Sequence, residues 1–277
     1  MARPLRLEVP DGIYHLTARG NERAAIFRDD TDRRQFLELV ADLRVSYCWR
    51  VLAYCLIGNH YHLLAQTPEP NLAQGMRQLN GVYAQSFNRR HDRVGHLLEG
   101  RYHARLVQAD EHLLAAARYI VRNPIRAGFC RHPSEWRWSS HRATLSLDPP
   151  WFLDVAALLS YYAPTREVAR RHYRAHIEEA DSERSSHPLV DGDEAFIAGA
   201  LELVQSAPGI PNRYLRPPVP ALPALLASSD PDTAIARASE CGYSLRQIAG
   251  HLGVNASTVS RRLRRHRARS GTATNGT

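Results

Sequence analysis

Lysine is absent from this chain: all 36 of its basic residues are arginine. So complete a bias fits an arginine-favouring, GC-rich coding sequence, but it also has a chemical consequence. There can be no P-loop ammonium, no Schiff-base lysine and no carbamylated lysine bridging two metals. Cysteine is scarce too. The four present, Cys48, Cys55, Cys130 and Cys241, form no CxxC pair, which argues against a zinc site or a disulfide framework. No run approaches the roughly 18 apolar residues of a membrane span. Residues 1–10 alternate arginine with leucine where a signal peptide would be continuously apolar. The expectation is a globular cytoplasmic protein.

Over 277 residues, 44% are hydrophobic, enough for one large domain or two smaller ones with ordinary cores. The formal charge of +8 favours a polyanionic partner, and the planar guanidinium fork suits bidentate contact with phosphate.

Residues 13–18 read as a strand, and Asp30 and Thr31 as caps for a helix bearing Phe36, Leu37, Val40 and Leu43 at helical spacing. Residues 50–57 and 60–66 read as strands joined by Gly58-Asn59, a two-residue hairpin signal. Asn71 precedes a helix with Leu72, Met76, Leu79 and Tyr83 on one face. Residues 101–108 return to strand periodicity, and 111–123 form a helix expected to stop at Pro124. This mixture predicts a compact α/β or α+β unit over residues 1–145. A helical extension follows over 146–206. Seven prolines between Pro208 and Pro231 predict an extended linker over 207–232. Residues 233–269 read as three short helices, and 270–277 as a flexible tail.

Two places carry chemistry. His60 and His62 are two apart on a strand and share a face, so both can bind one metal ion; half-buried packing histidines are the plainer alternative. The flanking residues, Tyr54 to Ile57 and Leu63-Leu64, are apolar, and unpartnered imidazoles there would be costly. Tyr119 and Asn123 are four apart on a helix and also share a face. Asn123 can offer a metal its amide oxygen while Tyr119 attacks a polarised phosphodiester. Here the alternative is an aromatic at the core's edge and a helix C-cap. Around them, Arg118 and Arg122 flank the helix face, and Arg101, His103 and Arg105 alternate along the preceding strand. Phosphate can lie between these arginines; a solvated charged face explains them equally well.

At the C-terminus, residues 244–261 read as helix, glycine-containing turn and helix, with Leu245, Ile248, Ala249, Leu252, Val254 and Val259 spaced to share a small core. This resembles a helix-turn-helix. Ser257, Thr258, Arg261 and Arg262 then lie on or near a face that can enter a major groove. Eight arginines against the single acid Glu240 over residues 237–269 add phosphate attraction.

The stretches Gly12–Asn21, Ala53–Leu64, Gly95–Tyr102 and Arg118–Gly128, taken in order, resemble the single-tyrosine HUH transposases, in particular the REP-associated tyrosine transposases. The resemblance implies an α+β fold, an antiparallel sheet with flanking helices (the HUH, ferredoxin-like nuclease core), followed here by the all-α helix-turn-helix module. It implies cleavage of single-stranded DNA, often beside a hairpin, through a 5′-phosphotyrosine. By that analogy His60, His62 and Asn123 bind Mg²⁺ or Mn²⁺ and Tyr119 is the nucleophile. Relatives are often dimers, so a homodimer is one assembly it allows. Tyr61 replaces the usual aliphatic between the histidines, and Ile57-Gly58 stands where Met-Pro is common. Neither removes a ligand.

Two other readings compete. One is a DNA-binding regulator that keeps the fold and the helix-turn-helix without the chemistry. The other is a small-molecule metal hydrolase, since HxH on a strand also begins amidohydrolase sites. The region before the prolines is short for an eight-stranded barrel, and the hydrolase leaves the charge and the C-terminal module unexplained.

Overall fold

The computed structural model describes residues 7–109, 111–179, 190–205, 222–227, 230–240 and 245–271. They belong to two compact units, Met1–Pro211 and Asn212–Thr277, each with its own apolar core.

The first unit opens β1 (Gly12–Arg19), α1 (Asp30–Tyr47), β2 (Arg50–Leu56), β3 (His60–Thr67), α2 (Leu72–Arg90), β4 (His103–Val107). The sheet runs β2-β3-β1-β4 with every one of these pairs antiparallel. That is the βαββαβ arrangement of a ferredoxin-like fold. Gly58-Asn59 makes the expected tight turn, closed by the Ile57 N–H on the His60 carbonyl at 2.9 Å.

Local chemistry fixes the helices. The Asp29 carboxylate accepts from the N–H groups of Thr31 and Asp32 at 2.9 and 3.0 Å, capping α1 one residue earlier than the sequence suggested. Asp32 turns inward and is fully buried. It accepts from Arg90 at 2.5 Å and from the Arg28 N–H at 2.8 Å, with His91 at 2.9 Å, so the end of α2 is tied to the start of α1. Asn71 precedes α2 but does not cap it with its side chain. Its oxygen accepts from the Trp49 indole at 2.7 Å, and its amide donates to the Tyr47 carbonyl at 3.2 Å. Both helices cover one sheet face: Phe36 of α1 lies 4.6 Å from the Tyr61 ring of β3 and 5.0 Å from Tyr83 of α2.

On the opposite face lies α3 (Glu111–Arg126), packed on β2 and β3. It does not stop at Pro124, which sits inside its last turn, buried. A proline there forfeits one hydrogen bond to residue 120. Onward bonds from Ala127 to the Asn123 carbonyl and from Phe129 to the Pro124 carbonyl, both 2.9 Å, hold the turn closed until Gly128 (φ +75°) ends it.

The described residues of 146–205 are largely helical, as their periodicity predicted. After α4 (His141–Leu145) come α5 (Val155–Ser160), α6 (Arg166–Glu178) and α7 (Glu194–Gln205), and Leu158, Tyr173, Ile177 and Ile197 bury in the same core as the sheet. A two-residue β5 (Val190–Asp191) extends the sheet in parallel beside β4. Periodicity marked the helices here but could not reveal which surface they complete.

In the second unit α8 (Leu222–Leu226), α9 (Pro231–Glu240), α10 (Leu245–Leu252) and α11 (Ala256–Gly271) pack around Ile235, Ile248, Ala249, Val259 and Leu263. The end of the expected linker is therefore helical. Pro223 and Pro231 occupy first turns, where a missing N–H costs nothing. Gly253 (φ +66°) makes the turn, and the Val254 N–H reaches back to the Ala249 carbonyl at 3.0 Å, a Schellman-type end. Val254 itself is exposed, not a core residue as its spacing suggested. The rest of the proline-rich stretch, the polar segment 181–187, Ser244 and residues 272–277 of the expected tail lie outside the described residues, while the tail's first two residues end α11. Among the described residues no helix is long and apolar enough to cross a membrane.

Candidate active site

The alternation of β3 and its antiparallel register build the floor of the site. His62 pairs with Thr17 of β1 and His60 with Arg19, so His15, two residues along β1, shares their face. Tyr61 points the other way, donating its hydroxyl to Asn80 at 2.7 Å. The His60 and His62 rings lie 5.0 Å apart, edge to face, and His15 Nε2 is 2.9 Å from His62 Nδ1. α3 lays Tyr119 and Asn123 over this floor. Tyr119 is 39% exposed and meets the edges of His62 at 5.6 Å and His15 at 5.7 Å. One turn on, Asn123 Oδ1 is 3.3 Å from His60 Nε2.

Burial pushes the His62 imidazole well below its usual range, with His15 and His60 adding to the shift. It also lowers His60, against the hydrogen bond from Asn123. His15 is pushed down to about 3 by burial and then by Arg105. All three are neutral at neutral pH, the form that presents a lone pair. His60 Nδ1 lies 2.8 Å from Asn59 Oδ1 and its Nε2 3.3 Å from Asn123 Oδ1; with one proton on the neutral ring, one of these nitrogens presents a lone pair. His62 Nε2 is buried without a hydrogen-bond partner. Two imidazole nitrogens and an amide oxygen form a donor set suited to a divalent cation. Among the described residues no three His, Cys, Asp or Glu side chains could hold a metal; the third donor here is an amide.

The expected phosphate contacts divide. Arg105 is half-buried on β4 and pairs with His15, on the site's face. Arg101 is exposed but lies before the strand, which begins at His103. Arg118 and Arg122 turn elsewhere: Arg118 donates to the Glu179 carbonyl, and Arg122 to the Ile177 carbonyl at 2.6 Å. These carbonyls are among those left open at the end of α6. In the second unit Ser257 and Arg261 are exposed one turn apart, Thr258 is half-buried, and Arg262 is exposed with Asp232 3.9 Å away.

Two neighbours escaped sequence reasoning. The Arg126 guanidinium lies 4.4 Å above the Tyr119 ring; its spacing of seven, two helical turns, was the available signal. His15 had none, because strand register alone brings it to His62.

A ferredoxin-like sheet thus sets a histidine pair beneath a tyrosine-bearing helix, and the chain carries a second unit of short helices with its own core. Residues 8–123 match the family model described as "Transposase IS200 like", and residues 233–266 match a helix-turn-helix domain. A protein of Haemophilus influenzae assigned as a REP-associated tyrosine transposase is 28% identical over 143 residues, 47% of this chain and 81% of the relative. A solved REP-associated tyrosine transposase bound to a REP hairpin aligns at 18% identity, covering 56% of this chain and 93% of that one, with a TM-score of 0.46.

Proposed function

We propose that this protein is a transposase: a metal-dependent endonuclease and strand-transferase for single-stranded DNA, acting beside hairpins through a 5′-phosphotyrosine on Tyr119. The observation that carries the reading is the convergence of His60 Nε2 and Asn123 Oδ1 to 3.3 Å, from a strand and a helix 63 positions apart, beside the unpartnered His62 nitrogen. His60, His62 and Asn123 would hold Mg²⁺ or Mn²⁺, which when bound supplies Lewis-acid polarisation of the scissile phosphate. Tyr119 Oη attacks phosphorus, the P–O3′ bond breaks, and the 3′-oxygen leaves and takes a proton. The phenol proton passes to solvent, to which Tyr119 is open. Arg126 holds the Tyr119 ring, and Arg105 attracts the DNA backbone. Attack by a DNA 3′-hydroxyl reverses these steps and joins strands without an external energy source.

The helix-turn-helix binds duplex DNA through Ser257, Thr258, Arg261 and Arg262 and raises the nuclease's local concentration at its target. The name of the Haemophilus relative points to repeated palindromic elements as the class of target. The protein works in the cytoplasm, and assembly as a homodimer belongs to the same reading.

The test is incubation with labelled single-stranded hairpin DNA and Mg²⁺ or Mn²⁺, on a denaturing gel beside Tyr119→Phe and His60→Ala. A metal-dependent, denaturant-resistant protein–DNA adduct absent from both variants supports the nuclease. DNA that is bound but never cut points instead to a regulator.

A further inference from the structure

We propose that His15 is the positioning residue for the metal site: its Nε2 accepts the His62 Nδ1 proton, which fixes the one His62 tautomer whose Nε2 lone pair is free for the cation. The inference rests on His62 being a metal ligand.

The 2.9 Å contact joins two ring nitrogens, so one must donate and the other accept. His62 carries one proton when neutral. If that proton were on Nε2, a donor would be buried with no partner and the metal-facing position would be blocked. With it on Nδ1, the hydrogen bond to His15 is satisfied and the orphaned Nε2 atom is a lone pair. His15 must then keep its own proton on Nδ1. His15 also abuts the Tyr119 ring, so one side chain sets the orientation of a ligand and limits the nucleophile's position. Partners behind a ligating histidine commonly work this way, and their loss typically weakens metal binding about 10–100-fold. No equivalent restraint on His60 is needed from a histidine, because Asn59 Oδ1 lies 2.8 Å from its Nδ1.

The experiment uses the full chain. Mn²⁺ affinity, read from the free-ion paramagnetic resonance signal, is measured for wild type, His15→Phe and His15→Gln. Phenylalanine keeps the ring volume without an acceptor; glutamine places its Oε1 near the position of Nε2. The expected result is weakening by about 10–100-fold for His15→Phe and recovery to within a few-fold for His15→Gln. Equal Mn²⁺ affinity in wild type and His15→Phe overturns the proposal. Wild type that binds no Mn²⁺ overturns the metal-site reading itself and the proposal with it. Should His15→Phe fail to fold, long-range proton–nitrogen spectra of metal-free wild type decide: Nδ1–H on His62 supports the assignment, and Nε2–H overturns it.

Discussion

At the residue scale, the proposed metal site depends on keeping protons away from the ligating nitrogens. Ligating imidazoles must be neutral, so metal affinity falls where they protonate. Burial lowers both His60 and His62, so that fall begins below the ordinary histidine value of about 6.5. Mn²⁺ affinity measured from pH 5 to 8 is expected to be flat at the upper end and to decline only toward the acid end; a midpoint at or above the ordinary value would contradict the lowered shifts. Arg126 contributes differently. A guanidinium over a tyrosine ring is worth about 0.5–2 kcal/mol, so Arg126→Gln is expected to slow adduct formation by roughly 2–30-fold in single-turnover assays with hairpin binding little changed. His60, His62, Tyr119 and Asn123 were legible because strand and helix periods place pairs on one face. Neither period says that the two faces meet, and His15 belongs to no short motif.

Element-scale effects separate arginines that hold the fold from those free to meet DNA. Arg122→Ala removes a charged donor from the end of α6, an interaction worth roughly 1.5–3 kcal/mol. A drop in melting temperature of several degrees is expected, with an unchanged salt slope for single-stranded DNA binding. Arg105→Ala is expected to do the reverse, leaving the melting temperature nearly unchanged and reducing the salt slope by about one. The two arginines looked alike in sequence, since both are basic residues beside a candidate site; what distinguishes them is α6, supplied from more than 50 residues away. His141 in α4 is buried near Tyr173 and His132 and pushed down to about 4, chiefly by burial. The unfolded chain therefore binds a proton below about 6.5 that the folded chain refuses until about 4, so stability falls as pH drops through that window, by about 3 kcal/mol. Chemical denaturation at pH 7 and 4.5 checks this, and His141→Phe should flatten the difference.

For the whole molecule, the two units have separate cores, so truncation after residue 205 is expected to preserve adduct formation on a free hairpin. Cleavage of a hairpin beside the duplex target should need roughly 100-fold more protein, because the tether is gone; unchanged cleavage of the linked substrate would remove the tethering role. By itself, the sequence determined the order of strands and helices in the first 145 residues, the hairpin at Gly58-Asn59, the two residue pairs and the C-terminal module, because these depend on periods, caps and turns read within a few residues. It misjudged Pro124, where buried contacts outweigh local preference. Only the tertiary structure decided that α3 crosses the histidine face, that α5, α6 and α7 share the core of the sheet, that Arg118 and Arg122 reach carbonyls at the end of α6, and that His15 stands behind His62. Each depends on contacts between segments far apart in the chain, whose register and packing are set by the shared core and not by any local signal.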